Sequence, residues 1–143
     1  VDGFIPDDYI REGELKIEVY KKIAAIESTA DYDDLVEELI DRFGDIPIQV
    51  ENLMKISYIK YISSRIGVTN ISQSNGVVKL EFSQSVKMTP RLIHELSKEY
   101  GSRIYFVLSD NPFFRFKPKK QILEELKVLV EKIKGSLNGQ NDI

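Results

Sequence analysis

The sequence predicts an α+β fold in which N-terminal helices precede a β-β-α-β-β-α half with a small, mostly antiparallel sheet. Apolar residues recur every three or four positions through the first 66 residues, a period typical of amphipathic helices. Over residues 78–82 apolar and charged residues alternate instead, which is typical of a half-buried strand. With 143 residues the chain has the size of one domain. We therefore expect a single domain over residues 1–143, with a mainly helical part over 1–67 and an α+β part over 68–143.

Three helices are expected in the mainly helical part. The first extends over about Glu12–Ser28. The second begins with Asp31 as its N-cap and ends at Gly44, which can adopt the left-handed conformation that closes a helix. The third extends over about Pro47–Ile66, and its proline suits the first helical turn. Phe43 continues the apolar stripe of the second helix, so we expect its ring to be buried.

The α+β part should contain a hairpin, a helix, two further strands and a last helix. Asn75-Gly76 is a strong hairpin signal, because both residues tolerate positive φ. Thr89-Pro90 is typical of a helix start, and Gly101 of a helix end. The expected elements are strands over about 68–73 and 78–82, a helix over 90–100, strands over 104–108 and 113–116, and a helix over 118–134.

Composition argues against several kinds of site. The chain has no cysteine and a single histidine, His94, so it cannot build a thiolate metal site, and we expect no metal and no cofactor. No Gly-rich run ends in Gly-Lys-Ser/Thr, so there is no P-loop, and we expect no enzymatic activity from this chain alone. No apolar run approaches the ~18 residues that span a membrane, so we expect no membrane partner. We expect a monomer.

Charge is distributed unevenly along the chain. Residues 1–54 contain 15 acidic and 5 basic side chains, whereas residues 55–143 contain 8 acidic and 15 basic ones. A basic half can bind nucleic acid. Alternatively, the two halves attract each other and each presents a solvated face to water.

The most aromatic and basic stretch covers residues 113–120, with cations at Arg115, Lys117, Lys119 and Lys120. Rings interleaved with cations can bind single-stranded nucleic acid. Alternatively, the stretch is an edge strand whose phenylalanines enter the core while its cations remain in water. The stretch supports an accessory nucleic-acid-binding module as the second functional hypothesis.

The second predicted helix has an acidic face. Asp34, Glu38 and Asp41 are spaced by four and three residues, so they lie on one side of the helix, and Glu37 is beside them. Such close carboxylates repel each other slightly, a cost that a cationic partner would reverse. The face is therefore either a docking surface or an ordinary solvated helix face. In the docking interpretation, we expect Glu38 and Asp41 to be exposed without a strong partner inside the chain.

Three short motifs follow one another in the first half: IPDDYI at residues 5–10, YKKIA at 20–24, and ELIDRFG at 38–44, the last followed by Pro47. Together they resemble the C-terminal domain of bacterial transcription-repair coupling factor, a large multidomain motor that removes stalled RNA polymerase from damaged DNA. The Gly67-Val68 step also matches the family pattern. From about residue 73 onward the sequence has only a generic α+β pattern, which agrees with this resemblance.

The resemblance implies a regulatory domain in DNA repair, located in the bacterial cytoplasm. The family's ATP-dependent DNA translocase motor lies in other domains. Its C-terminal domain docks on an N-terminal domain that recruits the excision-repair damage sensor, and represses the motor until stalled RNA polymerase is engaged. Glu38 and Asp41 occupy the family's acidic docking positions and would pair with arginines of that domain. Lys22 stands where the family commonly has arginine, which removes a bidentate donor at that position.

Overall fold

The structure, a computed structural model, describes residues 3–138. Within these residues it contains five α-helices and a four-stranded antiparallel sheet, which confirms the predicted α+β class. The chain divides into two compact units, of which the first extends to Tyr61 and the second begins at Ile62. Within residues 3–138, no helix is both long and apolar enough to cross a membrane.

The first unit is helical. It contains α1 over Gly13–Ala24, α2 over Thr29–Phe43, and most of α3, which covers Ile48–Arg65. Its core is formed by apolar side chains from all three helices and from the segment that precedes them, including Ile5, Ile10, Val19, Ile23, Ile26, Leu35, Leu39, Val50, Met54 and Tyr58.

The start of α2 differs from the prediction. Ser28, not Asp31, is the N-cap, and its hydroxyl accepts a hydrogen bond from the Asp31 backbone N–H at 3.0 Å. The Asp31 carboxylate in turn accepts a hydrogen bond from the Glu27 backbone N–H at 3.0 Å. Because α1 ends at Ala24 rather than near Ser28, the serine is free to cap the next helix, and Asp31 lies in its first turn.

Phe43 is half-buried, so the expectation of a fully buried ring is wrong. The ring contacts Tyr9, with centroids 5.8 Å apart, and the Arg42 guanidinium lies 4.9 Å from its centroid. Phe43 is the last residue of α2 and is followed by the exposed Gly44, so part of the ring remains in water. The buried stripe of this helix is formed by Leu35 and Leu39.

The second unit is built around the sheet. Its strands are β1 over Val68–Ser74, β2 over Val77–Phe82, β3 over Ile104–Val107 and β4 over Phe113–Phe116, in the order β1-β2-β4-β3. The β1–β2 turn confirms the hairpin, since Asn75 and Gly76 have φ values of 52° and 75°. The helices are α4 over Pro90–Tyr100 and α5 over Ile122–Asn138.

Alternation along β2 and β4 gives the sheet two chemically different faces. Val78, Leu80 and Phe82 of β2 are buried, as are Phe114 and Phe116 of β4. The Tyr100 ring at the end of α4 lies 5.1 Å from that of Phe116, so this is the face that the helices cover. Because β4 lies between β2 and β3, it is a central strand and not the edge strand that the sequence suggested.

The last helix begins at Ile122, four residues later than predicted, because the Glu125 side chain holds residues 119–121 in a turn that precedes it. The carboxylate accepts hydrogen bonds from the backbone N–H groups of Lys119, Lys120 and Gln121 at 2.8, 3.0 and 2.8 Å. It also accepts one from the Arg103 guanidinium at 2.7 Å. Burial alone would raise the pKa of Glu125, but these hydrogen bonds and the arginine outweigh it and hold the pKa below its ordinary value.

The Leu39→Ala change should lower the free energy of unfolding by about 2–5 kcal/mol, because it leaves a cavity in the core. Phe43→Ala should cost only about 1–2 kcal/mol, because the ring is half-buried. Urea unfolding followed by circular dichroism measures both values. A larger loss for Phe43→Ala than for Leu39→Ala would contradict the observed rotation of α2.

The Glu125→Gln change should reduce stability by about 1 kcal/mol near neutral pH, since it removes the charge that Arg103 and three backbone N–H groups of the preceding turn bind. A carboxyl whose pKa is lowered by folding stabilises the protein above its unfolded pKa, and this contribution disappears as pH falls through the folded pKa. The difference between wild type and variant should therefore shrink between about pH 5 and pH 3. Glu37→Gln, which removes one negative charge at an exposed position in α2, is the control and should change stability by less than about 0.5 kcal/mol near neutral pH. A difference that is constant with pH would contradict the assignment.

Candidate docking surface on the second helix

The second helix presents four carboxylates on its outer side, and we call Asp34, Glu37, Glu38 and Asp41 the acidic face. Burial of Leu35 and Leu39 turns these residues toward water. Asp34, Glu37 and Asp41 are exposed, whereas the Glu38 side chain is only one-third exposed at 33%.

Glu38 has partners inside the chain, so the expectation that it has none is wrong. Its carboxylate accepts hydrogen bonds from Lys22 Nζ at 2.6 Å and from Arg42 Nη1 at 2.8 Å. Glu18 lies 3.3 Å from the same ammonium and 3.1 Å from the same guanidinium. Two acids and two bases thus form one ion-pair cluster that links α1 to α2.

The ion-pair cluster keeps its members charged. The hydrogen bond from Lys22, followed by that from Arg42, holds the pKa of Glu38 below its ordinary value. The hydrogen bond from Arg42, followed by that from Lys22, does the same to the pKa of Glu18. The cluster is neutral as a whole, so the uncompensated negative charge of the acidic face belongs to its other three residues.

Those three residues differ from Glu38 in having no internal ion pair in the part of the chain that the structure describes. Within residues 3–138, the structure shows no side-chain hydrogen bond or ion pair for Asp34, Glu37 or Asp41. Asp41 therefore meets the expectation of an exposed carboxylate, and an incoming cation can approach it without displacing another group.

A shallow cavity of about 260 Å³ adjoins the acidic face. Its apolar part is formed by Ala25 and Leu35, and its polar lining by Lys22, Asp31, Asp34 and Glu38. An apolar floor with carboxylates around it suits an arginine side chain, because the aliphatic stem packs on apolar surface while the guanidinium binds carboxylate oxygens.

The basic stretch at residues 113–120 does not form one continuous surface. Phe114 and Phe116 are in the core, while Arg115 and Lys117 are exposed. Lys119 and Lys120 are also exposed, but they lie in the turn before α5, where Glu125 binds their backbone N–H groups, rather than on the sheet. Within residues 3–138, no group of three or more possible metal ligands occurs.

Sequence reasoning missed Glu18 and Arg42 as part of the site. A signal was present, since Glu18–Lys22 and Glu38–Arg42 are both acid–base pairs four residues apart. The two pairs form one cluster because α1 packs against α2. Spacing along the chain does not reveal how the two helices pack.

Comparisons with known proteins identify what the chain resembles. The family model described as the TRCF domain matches residues 1–93. The chain is 32% identical over 142 residues to the transcription-repair-coupling factor of Staphylococcus haemolyticus, covering 96% of this chain and 12% of that protein. It is also 32% identical over 106 residues to the protein of the same name from Bacillus subtilis, covering 73% and 9%. The chain thus spans about a tenth of the length of these curated relatives.

A solved structure has the same fold. It is the crystal structure of the C-terminal domain of a transcription-repair coupling factor, with a TM-score of 0.86 and 25% identity. The match covers 97% of this chain and 91% of the other. The resemblance therefore extends over both units, including the second half, where the sequence pattern is generic.

The Glu38→Ala change should lower the free energy of unfolding by about 0.5–1 kcal/mol, because it removes a partly exposed carboxylate with two partners. Asp41→Ala should leave it within about 0.5 kcal/mol, since that carboxylate has no partner in the described chain. Denaturant unfolding of both variants, at low and at high salt, measures the values. Equal losses would contradict the unequal pairing of the two carboxylates.

Proposed function

This chain belongs to the TRCF domain family, and we propose that it is a regulatory docking domain of a transcription-repair coupling motor. Its acidic face binds arginines on the N-terminal, damage-sensor-binding domain of the same parent chain. Docking hides the sensor-binding surface and represses the DNA translocase until stalled RNA polymerase is engaged. The chain works in the bacterial cytoplasm and has no catalytic step of its own.

The observation that carries this proposal is the combination of paired and unpaired carboxylates on one helix side. Asp34, Glu37 and Asp41 are exposed, like-charged and close, so a cationic partner would relieve their repulsion. Glu38, in their midst, is held in one orientation by Lys22 and Arg42. A carboxylate that is already oriented loses little conformational freedom when a partner binds.

Docking through Glu38 is an exchange of ion pairs rather than the formation of a new one. An arginine from the partner either shares the carboxylate with Lys22 or displaces that ammonium toward Glu18, which lies 3.3 Å from it. The exchange favours arginine, because a planar guanidinium donates two parallel hydrogen bonds, whereas an ammonium acts as a point charge. Asp41 also attracts the partner's arginine, and it has no internal ion pair that must first be broken.

A small change in free energy is enough to release the docked domain. When the undocked fraction is small, a loss of about 1.4 kcal/mol from the docked state raises that fraction roughly tenfold. A few ion pairs of this kind are enough to hold the domain closed, and competing contacts with polymerase are enough to open it.

We expect the double change Glu38→Ala and Asp41→Ala to weaken binding of this chain to the sensor-binding domain of the same parent by about 2 kcal/mol or more. The reason is that it leaves the partner's cations without counterions in an interface. Isothermal titration calorimetry measures the effect. The matched control is Glu95→Ala with Glu99→Ala, which removes two exposed acids from α4 and should change binding less than twofold.

In the full-length motor, the same double change should raise damage-sensor binding and basal ATPase activity in the absence of polymerase, because the docked state is less populated. A pull-down with the damage sensor and a steady-state ATPase assay measure the two effects. Unchanged sensor binding together with unchanged ATPase activity would contradict the proposed role of the acidic face.

A further inference from the structure

The face of the sheet opposite the core carries an ordered array of aromatic and basic side chains. The β4 residues that point outward are Phe113 and Arg115, and the exposed Lys117 continues their alternation beyond the strand. Across the ladder, Arg115 pairs with Lys79 of β2 on one side and with Tyr105 of β3 on the other. Cross-strand partners lie on the same face of a sheet, so these side chains are neighbours.

Contacts within this array hold the cations in place. Lys79 Nζ lies 4.5 Å from the Phe113 ring centroid, and the Arg115 guanidinium lies 5.3 Å from the same centroid. Both cations remain accessible to water, since Arg115 is exposed and the Lys79 side chain is 38% exposed. Tyr105 is 59% exposed, so much of this residue is open to water.

The negative charge on this face lies toward one end. Glu81 pairs with Phe113 across β2 and β4, lies 3.9 Å from Lys79, and accepts a hydrogen bond from Asn70 at 2.7 Å. The row formed by Lys79, Arg115 and Tyr105 and the adjoining Lys117 have no acid among them. With strands about 4.8 Å apart, the row across β2, β4 and β3 spans about 10 Å.

We infer that this surface, the sheet platform, binds single-stranded nucleic acid. Its residues are Lys79, Tyr105, Phe113, Arg115 and Lys117. Exposed bases stack on the Tyr105 ring and on the Arg115 guanidinium plane, and Lys79 and Lys117 neutralise the phosphates. An open antiparallel sheet with outward rings is suited to two or three unstacked bases, because every base has a face that can stack. The sheet platform shares no residue with the acidic face, so this inference stands independently of the proposed docking function.

The experiment is fluorescence anisotropy of a labelled single-stranded oligothymidine titrated with the 143-residue chain at low salt. We expect salt-sensitive binding, with affinity falling about tenfold for Tyr105→Ala and by a similar factor for Arg115→Gln. Lys79→Gln should reduce the slope of log affinity against log salt by about 0.7, the value for one lost phosphate contact on a single strand.

Two kinds of matched variant separate stacking from simple charge. Arg115→Lys keeps the charge and removes the planar group, so it should weaken binding while leaving the salt slope unchanged. Lys98→Ala on α4, and Lys119→Ala with Lys120→Ala, remove exposed cations away from the sheet platform and should change affinity less than twofold. Thermal unfolding confirms that each variant is folded.

Three results would overturn the inference. One is no salt-sensitive binding of the single strand at low salt. Another is an equal loss of affinity in the control variants and the sheet-platform variants, which would indicate that the overall positive charge of the unit, and not this surface, attracts the oligonucleotide. The third is a Tyr105→Ala variant that binds the oligonucleotide normally but loses affinity for the sensor-binding domain, which would identify the surface as a protein contact.

Discussion

The burial of Leu35 and Leu39 is the constraint on which the surface chemistry of the first unit depends. Their side chains are almost inaccessible to water, so α2 can adopt only one rotation about its axis. That rotation turns Asp34, Glu37 and Asp41 outward and brings Glu38 against Lys22 of α1. The acidic face is thus a consequence of core packing, and its Glu38 carboxylate is oriented by Lys22 and Arg42.

The ion-pair cluster has the properties that a reversible contact needs. Each of its pairs is partly exposed, so no single pair contributes much to folding, and exchanging one partner for another leaves no charge buried and alone. A docking surface built this way can form and release without unfolding its own domain. The second unit has a surface of the opposite sign on a sheet rather than a helix, so the two units are suited to partners of different chemistry.

Elements whose signals are local in the chain could be predicted from the sequence. The hairpin at Asn75-Gly76 and the helices that end at Gly44 and Gly101 were predicted correctly, because backbone conformation at those residues is decided by their own chemistry. Features that depend on a distant partner could not be predicted. One example is the start of α5, which lies later in the sequence than expected because Glu125 binds Arg103 and the preceding turn. Another is the central position of β4, which follows from its pairing with both β2 and β3. The pairing of Glu38 with Lys22 could not be predicted either, since it depends on contact between two helices.

We propose that the acidic face, and not another surface, contacts the sensor-binding domain of the parent. The most direct test is nuclear magnetic resonance of the ¹⁵N-labelled chain titrated with that domain. We expect saturable amide shifts concentrated in residues 34–42 and 18–22, with Tyr105 and Arg115 unchanged. Shifts concentrated on the sheet strands, with α1 and α2 unchanged, would contradict it.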